Sequence, residues 1–391
     1  MTGDAFVERY LVLGLRLGQL IPGLVDAYYG PSELSARVEA EGRPDPAALA
    51  AEARSLLGEL DESIEEAQRG RWLRAQLVGL ETVAARLAGE AVDYVDEVER
   101  CYGIRPALFP EDEFARAHEV LGEALPGGGP VKKRYQAWEQ AQSVERDALL
   151  PALEALTTEL RARTLELLDL PDGESTELEL VEDEPWLAFN YYRGGLRSRV
   201  VFNTDLPWRS TDLLPAVAHE LYPGHHTEHV LKEDHLVRER GLLEETIFMV
   251  GTPQSLLSEA AATLAPEVVA EGRVDELSAQ LLAPHAIPYD AETAAVVRTQ
   301  AERLAHVAAN VALLLHEQGL PLDEVRAYAR RWSLRSDERV EKGLEFVSDP
   351  TWRAYVFCYS EGLQRARIFA DGDPSRFRRL LTEQLVPSDL A

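Results

Sequence analysis

The stretch HELYPGHHTEH, residues 219–229, opens as the zinc-peptidase helix H-E-x-x-H opens, but Pro223 stands where the second histidine belongs. Two histidines, His225 and His226, arrive only after Pro223-Gly224. In H-E-x-x-H, positions i and i+4 share one helix face, ~6 Å apart by helical rise, so two imidazoles reach one zinc ion. The glutamate beside the first histidine then points at the attacking water and takes its proton. Six residues of unbroken helix would set His225 ~9 Å along the axis from His219 and off that face. Pro223 forbids an unbroken helix, because it has no N–H and its ring clashes with the carbonyl of His219. Gly224 gives the chain freedom to kink. The Pro-Gly pair therefore reads as the device that returns a histidine to the metal, and spacing leaves His225 and His226 both open. A His-rich surface patch is the competing reading, but four of nine histidines fall in this stretch. His229 and His235, in TEHVLKEDHL, sit among charged residues and are expected to face solvent.

Upstream, residues 176–204 are the one part that reads as strand. TELELV alternates strictly, and WLAFNYYRGGLRSRVVFN holds two aromatic and β-branched runs around Gly194-Gly195, a hairpin signal. Helix resumes near Thr211, capped by Ser210 or Thr211, and runs into the histidines. Elsewhere the apolar spacing is helical: residues 4–27, 45–66, 68–103 and 131–169, then 241–265, 290–317, 321–333 and 351 onward. LPGGGP (125–130) and LPDGES (170–175) break these segments. The expected division is a helical region over 1–172 and a metal-binding catalytic region over 173–391, packed as one continuous unit.

Composition narrows the partners. The 391 residues carry a net charge of -28, which repels nucleic acid backbones and anionic lipid surfaces. Cys101 and Cys358 are too few for a disulfide framework or a thiolate zinc cluster, so a metal would be held by His, Asp or Glu. Asp4 and Glu8 precede the apolar N-terminal stretch and Arg16 interrupts it, with no basic n-region or small-residue cleavage site, which disfavours a signal peptide, and no run approaches the ~20 apolar residues of a membrane span. A cytoplasmic location is expected. A third ligand is sought on a second helix: in SLLSEAAATLA, Glu259 stands alone among leucines and alanines, and a buried carboxylate there needs a partner.

HELYPGHH resembles the H-E-x-x-P-G-H-H signature of the bacterial domain-of-unknown-function family 885, regarded as zinc metallopeptidases of the gluzincin type. VVFNTDLP is similar to that family's strand before the motif helix, and SEAAATLA occupies the place of its E-G-W-A segment. LLLHEQGLPLDEVRAYARRW, YSEGLQRAR and FRRLLTEQLVPSDL resemble its later segments, so the likeness covers roughly residues 185–391. Ala260 and Ala261 replace the family's Gly-Trp, and Ala312 stands where it often has an acid, which bears on substrate preference. The resemblance implies a mainly α, helical metallopeptidase-like fold with a small antiparallel β-sheet beside the active-site helix. It implies zinc (Zn2+) as cofactor, held by His219, Glu259 and one of the two histidines. His225 is favoured, needing the smaller excursion, which leaves His226 to face the substrate. Glu220 becomes the general base, and Tyr359 a donor to the oxyanion or else a core aromatic beside Tyr355 and Phe357. His316 and the arginines Arg193, Arg197 and Arg199 are weaker candidates for the cleft. A peptide substrate is expected. A scaffold that kept only the metal and a hydrolase of a non-peptide amide are the alternatives.

Overall fold

The computed structural model describes residues 3–184 and 186–390; Met1, Thr2, Pro185 and Ala391 lie outside the described residues. The chain is mainly helical with two small sheets. It begins with α1 (Gly3–Leu20), which stops at Pro22-Gly23, where Gly23 takes φ +83°, instead of running on to residue 27. β1 (Val25–Tyr28) follows, then α2 (Ser32–Glu39) and α3 (Pro46–Ser63). The Asp45 side chain caps α3 by accepting from Ala47 N, with Pro46 in the first turn. The helical pattern over 68–103 is two helices, α4 (Ala67–Leu87) and α5 (Tyr94–Tyr102). Gly89 at φ +86° ends the first, and Glu90 N reaches back to Ala85 O. After α6 (Glu111–Ala124), the pattern over 131–169 also divides, into α7 (Val131–Ala141) and α8 (Arg146–Leu167). Between them Val144 N bonds Trp208 O, tying the break to the far end of the hairpin.

β2 (Ser175–Val181), β3 (Ala188–Tyr192) and β4 (Arg197–Asn203) form a sheet of order β2-β4-β3. The hairpin is antiparallel, Ala188 opposite Phe202, and turns through Gly194 and Gly195, both at positive φ. β2, however, lies parallel to β4, Ser175 opposite Arg197. It therefore fills the edge of β4 that the hairpin leaves free. Val200, Val201 and Phe202 are fully buried at the centre.

The motif follows on α9 (Ser210–Glu220) and α10 (His225–Lys232). A short strand β5 (Ile247–Met249) pairs antiparallel with β1. α11 (Pro253–Val269), α12 (Val274–Leu282), α13 (Ala291–His316), α14 (Leu322–Trp332), α15 (Asp337–Ser348), α16 (Val356–Ala370) and α17 (Pro374–Thr382) complete the described chain. One core joins α1 and α3–α6 to β5, α13–α15 and the start of α16; the other joins α8, the three-stranded sheet, α9, α11, α12 and α17. Two close approaches matter for the site. Gly14 and Gly18 of α1 let β5 and β1 lie against the helix, since an added Cβ would sit 2.5 Å from Met249 Sδ and 2.9 Å from Val25 Cγ2. Gly362 of α16 faces Ala260 of α11, which brings the tyrosines around the start of α16 to Glu259. No helix among the described residues is long and apolar enough to cross a membrane.

Candidate metal centre

α9 ends at Glu220, one residue past His219. The chain then turns through Leu221 (φ -118°, ψ -86°), a cis Tyr222–Pro223 bond and Gly224, and helix restarts at His225. Thr227 N and Oγ1 both bond Leu221 O, which clasps the new helix to the end of the old one. The turn is tight: a Cβ on Gly224 would lie 1.9 Å from His219 O and 2.4 Å from Ala218 O. Gly224 has φ -82°, so its requirement is space against backbone rather than a left-handed conformation.

This turn sets His225 Nε2 3.1 Å from His219 Nε2, their rings perpendicular. Glu259, on α11, lies with Oε2 3.5 Å from His219 Nε2 and Oε1 3.7 Å from His225 Nε2. Ligand atoms at zinc bond lengths of ~2.0–2.1 Å in a tetrahedron are roughly 3.3 Å apart, so the three side chains are spaced to share one ion. A fit to a cation shows in the donors themselves. Glu259 is buried, and its Oε2 has no hydrogen-bond partner, while Oε1 accepts from the Tyr355 hydroxyl at 2.6 Å. Burial pushes the Glu259 carboxyl up to about 7 against that hydrogen bond. Burial also holds His225 down at about 4 and His219 well below the usual range, so both imidazoles are neutral, the form that binds metal. A chain of contacts backs His225: its Nδ1 lies 3.1 Å from Ser258 Oγ, Ser258 donates to Glu228, and Lys232 donates to Glu228 at 2.7 Å.

The three side chains line a cavity of about 270 Å³ together with Glu220, Asp26, Asn190, His229, Tyr355 and Tyr359. Aromatic rings of Trp186, Phe189, Phe346 and Trp352 form much of the remaining wall. No lysine or arginine lines it among the described residues, yet it holds three carboxylates. Burial, with Glu259 and Asp26 nearby, drives the Glu220 carboxyl well above its ordinary range; burial alone pushes Asp26 up to about 7. A divalent cation is the natural complement of such a lining.

Several expectations are corrected. His226 does not face the cavity: it is fully buried, with Nε2 2.8 Å from Glu174 Oε2 and Nδ1 2.8 Å from Ser198 Oγ. Neighbours on a helix point ~100° apart, and His225 takes the direction that faces His219 and Glu259. His229 does not face solvent but stacks on Tyr192 at 4.7 Å and lines the cavity. The charges around it are internal pairs rather than a solvated face: Glu228, Lys232 and Glu233 are buried. His235 is part-exposed beside Asp234 and Glu239. His316 bonds Val347 O, and Arg193, Arg197 and Arg199 lie outside the lining; Arg199 pairs with Glu179. Tyr359 does line the cavity, its ring edge-on to Tyr355. Asp26, Asn190 and the role of Tyr355 escaped sequence reading. An isolated acid in LVDAYY, comparable to Glu259 among its alanines, was the available signal for Asp26.

No family model matches the chain, and no curated protein does. Among solved structures it is similar to a protein designated a lipoprotein, from Colwellia psychrerythraea. The two are 17% identical, with a TM-score of 0.58 over 92% of this chain and 68% of that one. At that identity the likeness shows the helical fold alone. An M32 carboxypeptidase from Deinococcus radiodurans R1 aligns with a TM-score of 0.37 at 12% identity, over 97% of this chain and 88% of that one, and carries no argument.

Proposed function

We propose that the chain is a metal-dependent hydrolase, most simply a zinc metallopeptidase of the kind the resemblance to family 885 implies, acting on short peptides. The observation that carries this reading is the meeting of His219, His225 and the partnerless Glu259 Oε2 beside Glu220, in a cavity lined by no lysine or arginine among the described residues. A divalent ion held by those three side chains would supply Lewis-acid chemistry, polarising a carbonyl and easing the deprotonation of a water. Glu220 is not needed as a ligand. It is buried at the end of α9, and its main-chain carbonyl is held by Asn190 Nδ2 at 2.6 Å. Its carboxylate takes the proton of the attacking water and hands it to the leaving amine.

The Tyr359 hydroxyl, on the cavity wall, donates to the developing oxyanion, while Tyr355 orients Glu259. His226, engaged with Glu174 and Ser198, leaves that donation to Tyr359. A volume of about 270 Å³ lies just below the ~300–1,000 Å³ common in ligand pockets, which favours small substrates. β3 is an edge strand, and its Ala188, Phe189 and Asn190 line the cavity, so a peptide could align by strand addition. The test is Glu220→Gln assayed on a mixed peptide library with product ends mapped. The variant should keep its metal and its fold while hydrolysis falls by roughly 10²-fold or more. An undiminished rate would remove Glu220 from the mechanism.

A further inference from the structure

Asp26 lies in β1, where the pairing with β5 is irregular: Val25 is opposite Met249 and Ala27 opposite Phe248, so Asp26 is the extra residue of a bulge. A bulge re-aims a side chain out of the regular alternation. Here Ala27 is buried in the core while Asp26 lines the cavity. The Asp26 side chain makes no hydrogen bond or ion pair with the described residues, and it does not join the cluster formed by His219, His225 and Glu259. Asn190 lines the same cavity from β3, which packs beside β1. Because Asn190 Nδ2 donates to Glu220 O, its Oδ1 is turned the other way, and this buried oxygen has no donor. Apart from Glu259 Oε2 and the Glu220 carboxylate, the cavity therefore offers two acceptors lacking a donor, walls of Trp186, Phe189 and Trp352, and no lysine or arginine among the described residues. Aromatic faces attract cations, as carboxylates do.

A divalent ion at the three-residue site would match two of the three carboxylates and leave one unit of negative charge over. Past Trp186, Phe346 and Tyr359 the cavity adjoins a second, of about 490 Å³. That one has a mixed lining, Arg335, Arg339 and Lys342 beside Glu184, Asp205 and Asp212, and neither arginine side chain has an ion-pair partner among the described residues. The lining thus runs from acidic at the inner end to mixed charge, with two arginines free of ion pairs among the described residues, further out.

We propose that Asp26 and Asn190 form an ammonium-binding subsite, so that the substrate enters with a primary ammonium group inward and its remaining length toward the adjoining cavity. This rests on reading the cavity as hydrolytic, and makes the preferred substrate a peptide with a free α-amino group or, by the same chemistry, a lysine side chain. Phenylalanine amide, N-acetyl-phenylalanine amide and N-α-acetyl-lysine amide distinguish these sources. Each is titrated calorimetrically into the full chain, with metal bound and after chelation, and into Asp26→Asn. The free amine should bind at least tenfold more tightly than its acetylated form, and the substitution should reduce that ratio below about threefold. Tight binding of the acetyl-lysine amide would assign the subsite to a side chain, and weak binding to the α-amino group. Equal binding of free and acetylated phenylalanine amide to the parent protein, together with weak binding of the acetyl-lysine amide, overturns the subsite without relying on any variant. So does an unchanged ratio in Asp26→Asn. Peptide cleavage is followed in parallel. Cleavage indifferent both to N-acetylation and to a lysine in the peptide overturns the subsite alone, whereas selective amine binding without cleavage overturns the hydrolase reading alone.

Discussion

Gly224 shows how little freedom the centre has at single positions. Its would-be Cβ falls on the carbonyls of His219 and Ala218, which are backbone and cannot swing aside. Gly224→Ala should therefore cost on the order of 2 kcal/mol or more of stability and displace His225 from His219. Denaturant unfolding and metal stoichiometry would show it, with Gly128→Ala as the harmless comparison, since nothing lies within 4 Å of that position. Much at this scale was legible. Pro223-Gly224 after His-Glu announced a broken helix, and Glu259 stood out as one acid in an apolar run. The direction of each adjacent histidine was not legible, because it follows from the dihedral angles of the turn and not from spacing. Nor was Tyr355, whose bond to Glu259 joins residues 96 apart in the chain.

Among elements, α10 is held from both sides. His225 faces α9 and α11, while His226 is fixed to Glu174, which also accepts from Tyr222 at 2.6 Å and from Arg161 of α8 at 2.6 Å. Burial works against ionised Glu174, but these hydrogen bonds outweigh it and hold the carboxyl at about 2. A carboxyl depressed in the folded state stabilises it above the ordinary value near 4.5, and that contribution is lost as pH falls from there toward 2. It amounts to roughly 3 kcal/mol. Glu174→Gln should thus be less stable at neutral pH and flatter in stability between pH 4.5 and 2, as unfolding curves across that window would report. A variant as steep as the parent would refute the assignment. Strand and helix content were readable from periodicity, and so was the hairpin. The parallel pairing of β2 was not, because alternation is the same for either direction. The bulge at Asp26 was hidden for a similar reason: a short strand betrays an extra residue only against its partner.

Across the whole molecule, the cavity is where distant parts of the chain converge, with β1, β3, α9, α10, α11 and α16 all contributing. A ligand that binds only this folded arrangement stabilises all of it, by about 2.7 kcal/mol at a hundredfold excess over Kd. Chelation should lower the melting temperature by several degrees and zinc should restore it, as calorimetry can follow; an unchanged melting point would argue against a metal in the cavity. The order in which these parts are made has a consequence of its own. A ribosome adding roughly 5–20 residues per second exposes Asp26 early, the two histidines and Glu259 midway, and Tyr355 and Tyr359 only near the end. A nascent chain stalled after Asp349 already carries every candidate ligand, but not the tyrosine that holds Glu259 or the one at the wall. Such a stalled chain should show no turnover, and detectable hydrolysis by it would mean that the late tyrosines are dispensable. Synthesis itself then sets when the site is complete: a copy still short of its last helices has the ligands of the cavity without the two tyrosines beside them.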